Sequence, residues 1–135
     1  MALGKIKADT LEHSTAGSLD TQYVVNGSAK AWSNINAGAS PRDSFNVSSV
    51  TDVSTGKYQI NINNDMSSAN YAVLTNGARA NDAIVSCRQE ESVSGQYTIQ
   101  SFNYAGSAFA DSDSVFTAVQ GDLAESSAAG HGRGD

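Results

Sequence analysis

The sequence has few of the residues that form cross-links or carry out acid–base chemistry. Its 135 residues include one cysteine and two histidines. A single cysteine cannot form an intrachain disulfide, and it excludes a zinc site built from several cysteines. Cys87 lies in an apolar stretch, so we interpret it as a small packed hydrophobe and not as a reactive thiol. His13 and His131 lie near the two ends of the chain, where neither imidazole would be held rigidly enough for a catalytic site.

Positive charge and long apolar runs are also scarce. Fourteen acidic residues against eight basic ones give a formal net charge of -6 and a pI near 4.6. An acidic chain repels nucleic-acid phosphates and anionic lipid headgroups, so we expect no binding to nucleic acid. No apolar run approaches the length of a membrane span, and no apolar segment of the signal-peptide type follows Lys5 and Lys7. We therefore expect a soluble chain with no membrane insertion and no secretory signal.

The composition favours β-structure. Hydrophobic residues make up 39% of the chain, and Ser, Asn, Gly and Thr fill turns and solvated strand faces more readily than helices. No long stretch carries the apolar i, i+3, i+4, i+7 spacing of an amphipathic helix. A chain of this length has room for one domain with a modest core. We predict an all-β fold, an antiparallel β-sandwich or jelly-roll-like domain with an extended N-terminal arm and a flexible C-terminal tail.

Short stretches of β-branched and aromatic residues recur at intervals of about ten residues, each closed by Asn, Gly, Asp or Ser. They predict eight strands, at residues 22–26, 30–36, 44–50, 57–63, 69–75, 82–89, 96–103 and 114–121. In the strand at 57–63, Tyr58, Ile60 and Ile62 point to one face because strand side chains alternate between faces. Phe45 and Val47 show the same alternation in the strand at 44–50. These five side chains are therefore predicted to face the core.

The strands at 44–50 and 57–63 are predicted to pair as a hairpin, because a short connection rich in Asp, Ser, Thr and Gly joins two alternating runs. Residues 51–56 form this connection, and Gly56 is available for a positive φ angle. A later alternating segment places Tyr97 and Ile99 on a buried face.

The two ends of the chain differ in amino-acid composition from the predicted strands. Residues 1–21 mix charged and small residues with a few large apolar ones that form no sustained face. We interpret them as an arm for assembly or anchoring, and we expect this arm to lie against a neighbouring subunit or a partner. The sandwich is predicted over residues 22–123. Residues 124–135 are small, polar and glycine-rich, which predicts a flexible tail.

Several segments resemble a module of tail-fibre-like proteins of tailed bacteriophages. The resembling segments are residues 6–11 (IKADTL), 15–20 (TAGSLD), 26–36 (NGSAKAWSNIN), 42–52 (RDSFNVSSVTD), 56–63 (GKYQININ) and 66–73 (MSSANYAV). The resemblance spans residues 6–123, nearly the whole chain. The family has an aromatic residue inside a Trp-x-Asn-x-Asn segment, where this chain has Ile35.

The resemblance implies a β-rich virion component, usually homotrimeric, that lies on a tail, a fibre or a capsid surface and often acts at the host surface. It implies neither catalytic residues nor a cofactor. We expect a structural protein, made in the host cytoplasm, that assembles with itself, joins other phage structural proteins through its arm and contributes to host attachment. A capsid decoration or fibre adaptor without receptor contact is the alternative. A low apolar fraction and a long arm also leave a lone subunit marginally stable, which favours association.

Two polar connections are the candidate contacts with a host-surface polysaccharide, a protein receptor or another partner. The first, at residues 76–82, offers several hydrogen-bonding groups on a glycine-containing loop, and the second begins at residue 103. The candidate residues are Asn76, Arg79, Asn81, Asp82, Asn103 and Tyr104. Trp32 is the only tryptophan. We predict that it is a core or subunit-interface anchor, protected from solvent, and not a platform for sugar stacking.

The motifs that could carry chemistry are weak. Adjacent strand residues face opposite ways, so Glu90 and Glu91 are interpreted as a solvated acidic turn and not as an acid–base pair. Residues 111–114 alternate oxygen-bearing side chains but lack the glycine and the bidentate glutamate of an EF-hand. We therefore predict neither an enzyme nor a metal site. A depolymerase of host glycans, the third hypothesis, would need a pair of carboxylates held in a groove.

Overall fold

The computed structural model describes residues 4–78, 86–103 and 108–124 of the chain. These residues form ten strands and one short helix. The elements are β1 (Thr10–His13), β2 (Gly17–Asp20), α1 (Thr21–Gly27), β3 (Ala31–Asn36), β4 (Pro41–Phe45), β5 (Val47–Ser54), β6 (Lys57–Ile62), β7 (Ala72–Ala78), β8 (Ser86–Val93), β9 (Gln96–Phe102) and β10 (Ser114–Gln120).

Eight of the strands form two four-stranded antiparallel sheets that pack face to face. The front sheet has the order β4-β3-β10-β7, and the back sheet has the order β5-β6-β9-β8. The remaining strands, β1 and β2, pair with each other in the N-terminal arm. The prediction of an all-β antiparallel sandwich is therefore confirmed.

The core lies between the two sheets and follows from side-chain alternation. Tyr58, Ile60 and Ile62 of β6 are buried as predicted, and so are Tyr97 and Ile99 of β9. The front sheet contributes the inward-facing side chains of β3 and β10, which are Ala31, Ser33, Ile35, Val115, Thr117 and Val119. Each strand presents alternate residues to the core because successive side chains point to opposite faces.

The predicted strand at 44–50 is in fact two strands in different sheets. Asn46 separates β4 from β5 and adopts a left-handed conformation with φ 57°, which asparagine tolerates better than most residues. Its side chain donates to the carbonyl of Lys30 (3.0 Å) and accepts from the backbone N–H of Asn64 (2.8 Å). The turn of the backbone at Asn46 interrupts the alternation, so Phe45 is 54% exposed and the prediction that it faces the core is wrong.

The predicted hairpin is present as β5 and β6. Strand β5 extends to Ser54, so the connection shortens from six residues to the turn at Thr55 and Gly56. Gly56 has φ 70°, which confirms the expected positive angle. Its backbone N–H donates to Oδ1 of Asp111 (2.7 Å), so this turn is tied to the segment that precedes β10.

The segment predicted as a strand at 22–26 is the helix α1 instead. Val24 and Val25 favour strands intrinsically, but strand propensity depends on an available neighbouring strand. The hairpin of β1 and β2 ends at Asp20, and the backbone N–H of Thr21 is already bonded to the carbonyl of Asp9 (2.9 Å). Without a pairing partner among the described residues, the segment satisfies its backbone groups locally as a helix.

The strands of the sandwich lie within the predicted range of residues 22–123, and Leu123, beyond the last strand, packs against the core and forms a bridge with Met66. The first strand of the sandwich begins at Ala31 and its last strand ends at Gln120. In the predicted tail, Ala124 donates its N–H to the carbonyl of Asp65 (2.9 Å), and residues 125–135 lie outside the described residues.

Two buried tyrosines are predicted to lower the stability of the sandwich at alkaline pH. Burial raises the pKa of Tyr58 and of Tyr71 to about 12, and the carboxylate of Asp111 adds to the effect at Tyr58. Above pH 10 an unfolded chain releases tyrosine protons that the folded chain retains, so the free energy of unfolding falls as the pH rises from 10 to 12. We expect a loss of about 1 kcal/mol for each of these tyrosines at pH 11.

Urea unfolding at pH 8.5 and pH 11 measures this loss. Tyr58→Phe removes one titrating group, so the variant should show a smaller decrease between the two pH values than the wild type. Equal decreases in the two proteins would contradict the assignment to Tyr58.

Candidate interaction surface

The structure describes only part of the predicted contact residues. Asn76 is exposed but belongs to β7, because that strand continues to Ala78; the prediction that the first connection begins at Asn76 is therefore wrong. Asn103 directly follows β9, is half-buried, and donates its backbone N–H to the carbonyl of Ala108 (3.0 Å). The other four candidates, Arg79, Asn81, Asp82 and Tyr104, lie outside the described residues.

The two candidate connections leave the sandwich at the end opposite the arm. In the front sheet Ser114 pairs with both Asn36 and Ala78, so the first connection departs from the end of the sheet remote from Ala31. In the back sheet Ser86 pairs with Phe102, so the first connection rejoins the sandwich beside the start of the second. Chain topology therefore brings the two connections to the same end.

Trp32 is not a core residue. It lies on the outward face of the front sheet and is 39% exposed, because its neighbours in β3, Ala31 and Ser33, occupy the inward face. The prediction of a solvent-protected core anchor is wrong for the single chain. Its role as a subunit-interface anchor stays a prediction.

The outward face of the front sheet carries an apolar row that crosses all four strands. Phe45 pairs with Trp32, Trp32 pairs with Ala118, and Ala118 pairs with Leu74. We call these four residues the apolar row. Neighbouring strands lie about 4.8 Å apart, so the row is about 14 Å long. Phe116, two residues before Ala118 on the same face of β10, widens it.

The size of this surface follows from the exposed fractions. Among the four large side chains of the face, exposure ranges from 39% at Trp32 to 57% at Leu74. Taking about 200 Å² for each large side chain, roughly 400 Å² of apolar surface is open on the front sheet. Apolar patches of a few hundred Å² mark interaction sites more often than scattered single residues do.

The opposite half of the same face is polar and well ordered by hydrogen bonds. The guanidinium of Arg42 reaches across β3 and donates to Oγ of Ser114 (2.6 Å), to the carbonyl of Asp113 (2.8 Å) and to Oδ1 of Asn34 (3.4 Å). Asp43 pairs with Asn34 beside it. The face is therefore apolar at the arm end and polar at the end from which the connections depart.

Sequence reasoning missed Leu74, Phe116 and the outward position of Phe45. A signal was available in β10, whose segment VFTAV has apolar residues at both parities. A strand that is apolar at both parities is expected to be covered on both faces. Only the register shows that the outward residues of four strands coincide in one row.

The titratable groups that could have suggested chemistry have structural partners. Nδ1 of His13 accepts the backbone N–H of Ala16 (3.0 Å) inside the arm hairpin. Glu90 lies within β8, beside a bulge, and forms an ion pair with Lys57 (2.8 Å). The carboxylate of Asp111 accepts hydrogen bonds from Gly56 and from the hydroxyl of Tyr58. Each of these groups stabilises a turn or a contact between strands.

The described residues contain no group of three or more His, Cys, Asp or Glu residues placed to hold a metal ion. No helix among them has the length and hydrophobicity needed to cross a membrane. Comparisons of the chain with protein-family models, with curated proteins and with solved structures found no match.

Proposed function

We propose that this protein is a tail-fibre-like structural component of a phage virion. It assembles as a homo-oligomer, specifically a homotrimer, and contributes to host-surface attachment. It binds and assembles and does not catalyse. The segments between residues 6 and 73 that resemble tail-fibre-like modules supply the class of protein.

The observation that carries the proposal is the division of the described chain into a closed sandwich and an exposed arm. Every residue from Gly4 to Asp20 is exposed, including Ile6, Leu11 and Leu19. The arm nevertheless has its own hydrogen-bonded structure, the hairpin of β1 and β2. An ordered segment that exposes its large apolar side chains is suited to binding another protein. In the proposal this hairpin joins other phage structural proteins.

The arm and the two connections lie at opposite ends of the molecule, and this arrangement supports the attachment role. The two connections that carry the candidate contact residues depart from the end of the sandwich opposite the arm. A protein anchored by its arm would hold these connections away from the particle, where loops on a rigid scaffold commonly make functional contacts. The alternative, a capsid decoration or fibre adaptor, uses the same arm but meets no receptor.

Localisation on the particle tests the proposal. Antibodies raised against the purified protein are expected to label phage particles released from the strain that encodes it, on electron micrographs. Particles without label, in preparations where known structural proteins are labelled, would contradict the proposal.

Competition with adsorption separates the attachment role from the alternative. The purified protein is expected to slow adsorption of the phage to its host, and the double variant Asn81→Ala with Asp82→Ala is expected to compete less well. Asn70→Ala is the matched control, since Asn70 is exposed and lies just before β7 at the arm end. Labelled particles with no competition by the wild type would favour the decoration or adaptor.

A further inference from the structure

The side chain of His13 closes the turn of the arm hairpin. Its Nδ1 accepts the backbone N–H of Ala16 (3.0 Å) and the backbone N–H of Thr15 (3.2 Å). Neither N–H donates to a backbone carbonyl in the part of the chain that the structure describes. Because a backbone N–H can only donate, Nδ1 must be the unprotonated ring nitrogen, and the imidazole is the neutral tautomer with its proton on Nε2. The closed turn therefore requires an unprotonated Nδ1.

The hairpin has few other interactions that would keep its turn closed. The turn at residues 14–16 (Ser-Thr-Ala) contains no Gly, Pro, Asn or Asp, four of the residues that favour turns. Strands β1 and β2 pair over four residues each, and every residue of both strands is exposed. An isolated two-stranded hairpin is marginally stable at best in water. The two hydrogen bonds to Nδ1 are therefore a large share of what holds the hairpin closed.

Protonation of His13 removes this acceptor. The imidazolium carries protons on both ring nitrogens, so its Nδ1 can no longer accept the N–H groups of Thr15 and Ala16. The hydroxyl of Thr15, 3.4 Å from Nδ1, can accept the new proton, but the two N–H groups still lose their partner and must turn to water. Histidine is the side chain whose charge ordinarily changes between pH 5 and pH 8. Because the open arm binds a proton that the closed turn excludes, acid shifts the equilibrium towards the open arm.

The elements packed around the hairpin supply no charge on the face that carries His13. On this face the large side chains of β1 and β2 are those of Leu11 and Leu19, because register partners point to the same side of a sheet. Glu12 and Asp20, the charged residues of the two strands, lie on the other face. Helix α1, which contacts β2, has no charged residue. The loss of the acceptor at Nδ1 is therefore not offset by a new ion pair with these elements.

We propose that His13 is a pH-sensitive switch for the arm: the hairpin of β1 and β2 is closed while the imidazole is neutral and opens when it is protonated. Opening separates Leu11 from Leu19, which the register places side by side. The consequence for assembly rests on the proposed function, in which this hairpin joins other phage structural proteins. In that role the arm binds at neutral pH and releases its partner in acid.

Nuclear magnetic resonance of the full-length protein tests the switch. Long-range proton–nitrogen correlation spectra distinguish the protonated from the unprotonated ring nitrogen, and at pH 8 we expect Nδ1 of His13 to be unprotonated. Nuclear Overhauser contacts between Leu11 and Leu19 report on the paired strands. On acidification from pH 8 to pH 5 these contacts are expected to disappear in step with protonation of His13, while contacts inside the sandwich stay unchanged. Contacts between Leu11 and Leu19 that persist at pH 5, or a proton on Nδ1 at pH 8, would overturn the inference.

Two substitutions of His13 separate the titrating group from the hydrogen-bond acceptor. Oδ1 of an asparagine lies the same number of bonds from Cα as Nδ1 of a histidine, and it accepts the same backbone N–H groups in an Asx turn. His13→Asn is therefore expected to keep the hairpin closed at both pH 8 and pH 5. His13→Ala supplies no acceptor, so its ratio of closed to open hairpin should be roughly tenfold lower than that of the wild type at pH 8. If His13→Asn opens between pH 8 and pH 5 as the wild type does, another group controls the arm and the inference is refuted.

The outcomes separate the switch from the proposed function. A hairpin that stays closed at pH 5 refutes the switch and leaves the virion role to the labelling experiment. If the hairpin opens in acid but antibodies find no protein on particles, the switch stands and its consequence for assembly falls. On labelled particles, the wild-type protein is expected to be released at pH 5 and the protein of phage carrying His13→Asn to be retained. Retention of both proteins at pH 5 would refute the consequence for assembly.

Discussion

A Gly56→Ala variant is expected to lose about 3 kcal/mol of unfolding free energy or more. A Cβ atom at this position would lie 2.5 Å from the carbonyl oxygen of Ser101 and 2.8 Å from the backbone nitrogen of Ala110. Both are backbone atoms of the packed sandwich, so the turn between β5 and β6 would have to move away. The φ angle of 70° adds strain for any residue with a side chain.

Chemical denaturation of Gly56→Ala beside Gly38→Ala measures this loss. Gly38 also lies in the sandwich, but an added Cβ there would meet only Oδ1 of Asn36 at an ordinary contact distance of 3.5 Å. Gly38→Ala should therefore unfold within about 0.5 kcal/mol of the wild type. Similar stabilities for the two variants would show that the turn can shift without cost, contrary to the packing around Gly56.

The second large predicted effect is that the same substitution changes the free energy of unfolding in opposite directions at two neighbouring threonines. Thr117→Val is expected to destabilise the protein by about 2 kcal/mol, and Thr75→Val to stabilise it by about 1 kcal/mol. The two residues are register partners on β10 and β7, and the substitution replaces a hydroxyl by a methyl group of similar size in both. Their hydrogen bonding differs, and Thr117 is buried on an interior strand whereas Thr75 is half-buried on an edge strand.

Thr117 lies at the centre of a buried network that joins the two sheets. Its hydroxyl pairs with Oγ of Ser33 (2.7 Å) on β3 and with the hydroxyl of Tyr97 (2.7 Å) on β9. Removing it deprives two buried hydroxyls of a partner, which costs about 1–3 kcal/mol. Oγ1 of Thr75 is buried and has no partner within the part of the chain that the structure describes, so its removal relieves an unpaired polar atom.

Urea unfolding of both single variants and of the double variant tests the network. We expect opposite shifts of the midpoint, with a difference of about 3 kcal/mol between the two single variants. Tyr97→Phe should resemble Thr117→Val in sign, since it removes another member of the same network. If Thr75→Val is as destabilising as Thr117→Val, the difference in hydrogen bonding does not control stability here.

The residues predicted to control stability and those of the outward face lie in different parts of the fold. The network of Thr117 and the turn at Gly56 stabilise the sandwich from inside, and neither involves the outward face of the front sheet. Substitutions inside the sandwich are therefore expected to change folding, whereas substitutions in the apolar row are expected to change association. The virion role can therefore be tested in proteins that are folded.

The alternation of apolar and polar residues predicted the buried side chains correctly where one face of a strand is buried and the other is solvated. In β6, Tyr58, Ile60 and Ile62 alternate with polar residues, and the structure buries all three. The turn at Gly56 was also predictable from the sequence, because few other residues accept a positive φ angle. The pattern was insufficient at residues 22–26, where Val24 and Val25 favour a strand but the segment pairs with none of the strands that the structure describes.

The candidate site was only partly predictable. Trp32 was predicted to be a core or subunit-interface anchor, but its outward position depends on the register of β3 against β4 and β10, which its own segment does not reveal. Phe45 was assigned to the core because it alternates with Val47; the left-handed turn at Asn46 reverses its face. Arg79, Asn81, Asp82 and Tyr104 stay predictions.

The sequence by itself determined the all-β class, most strand positions and the hairpin of β5 and β6, because each depends on side-chain alternation and turn residues within about ten neighbouring positions. Only the tertiary structure decided that the chain changes sheets at Asn46, that residues 21–27 form a helix and that Phe45, Trp32, Ala118 and Leu74 coincide in one row. The sheet change and the row depend on the pairing of strands distant in sequence, since the register between such strands is set by packing across the whole sandwich. The helix forms where the segment pairs with none of the described strands.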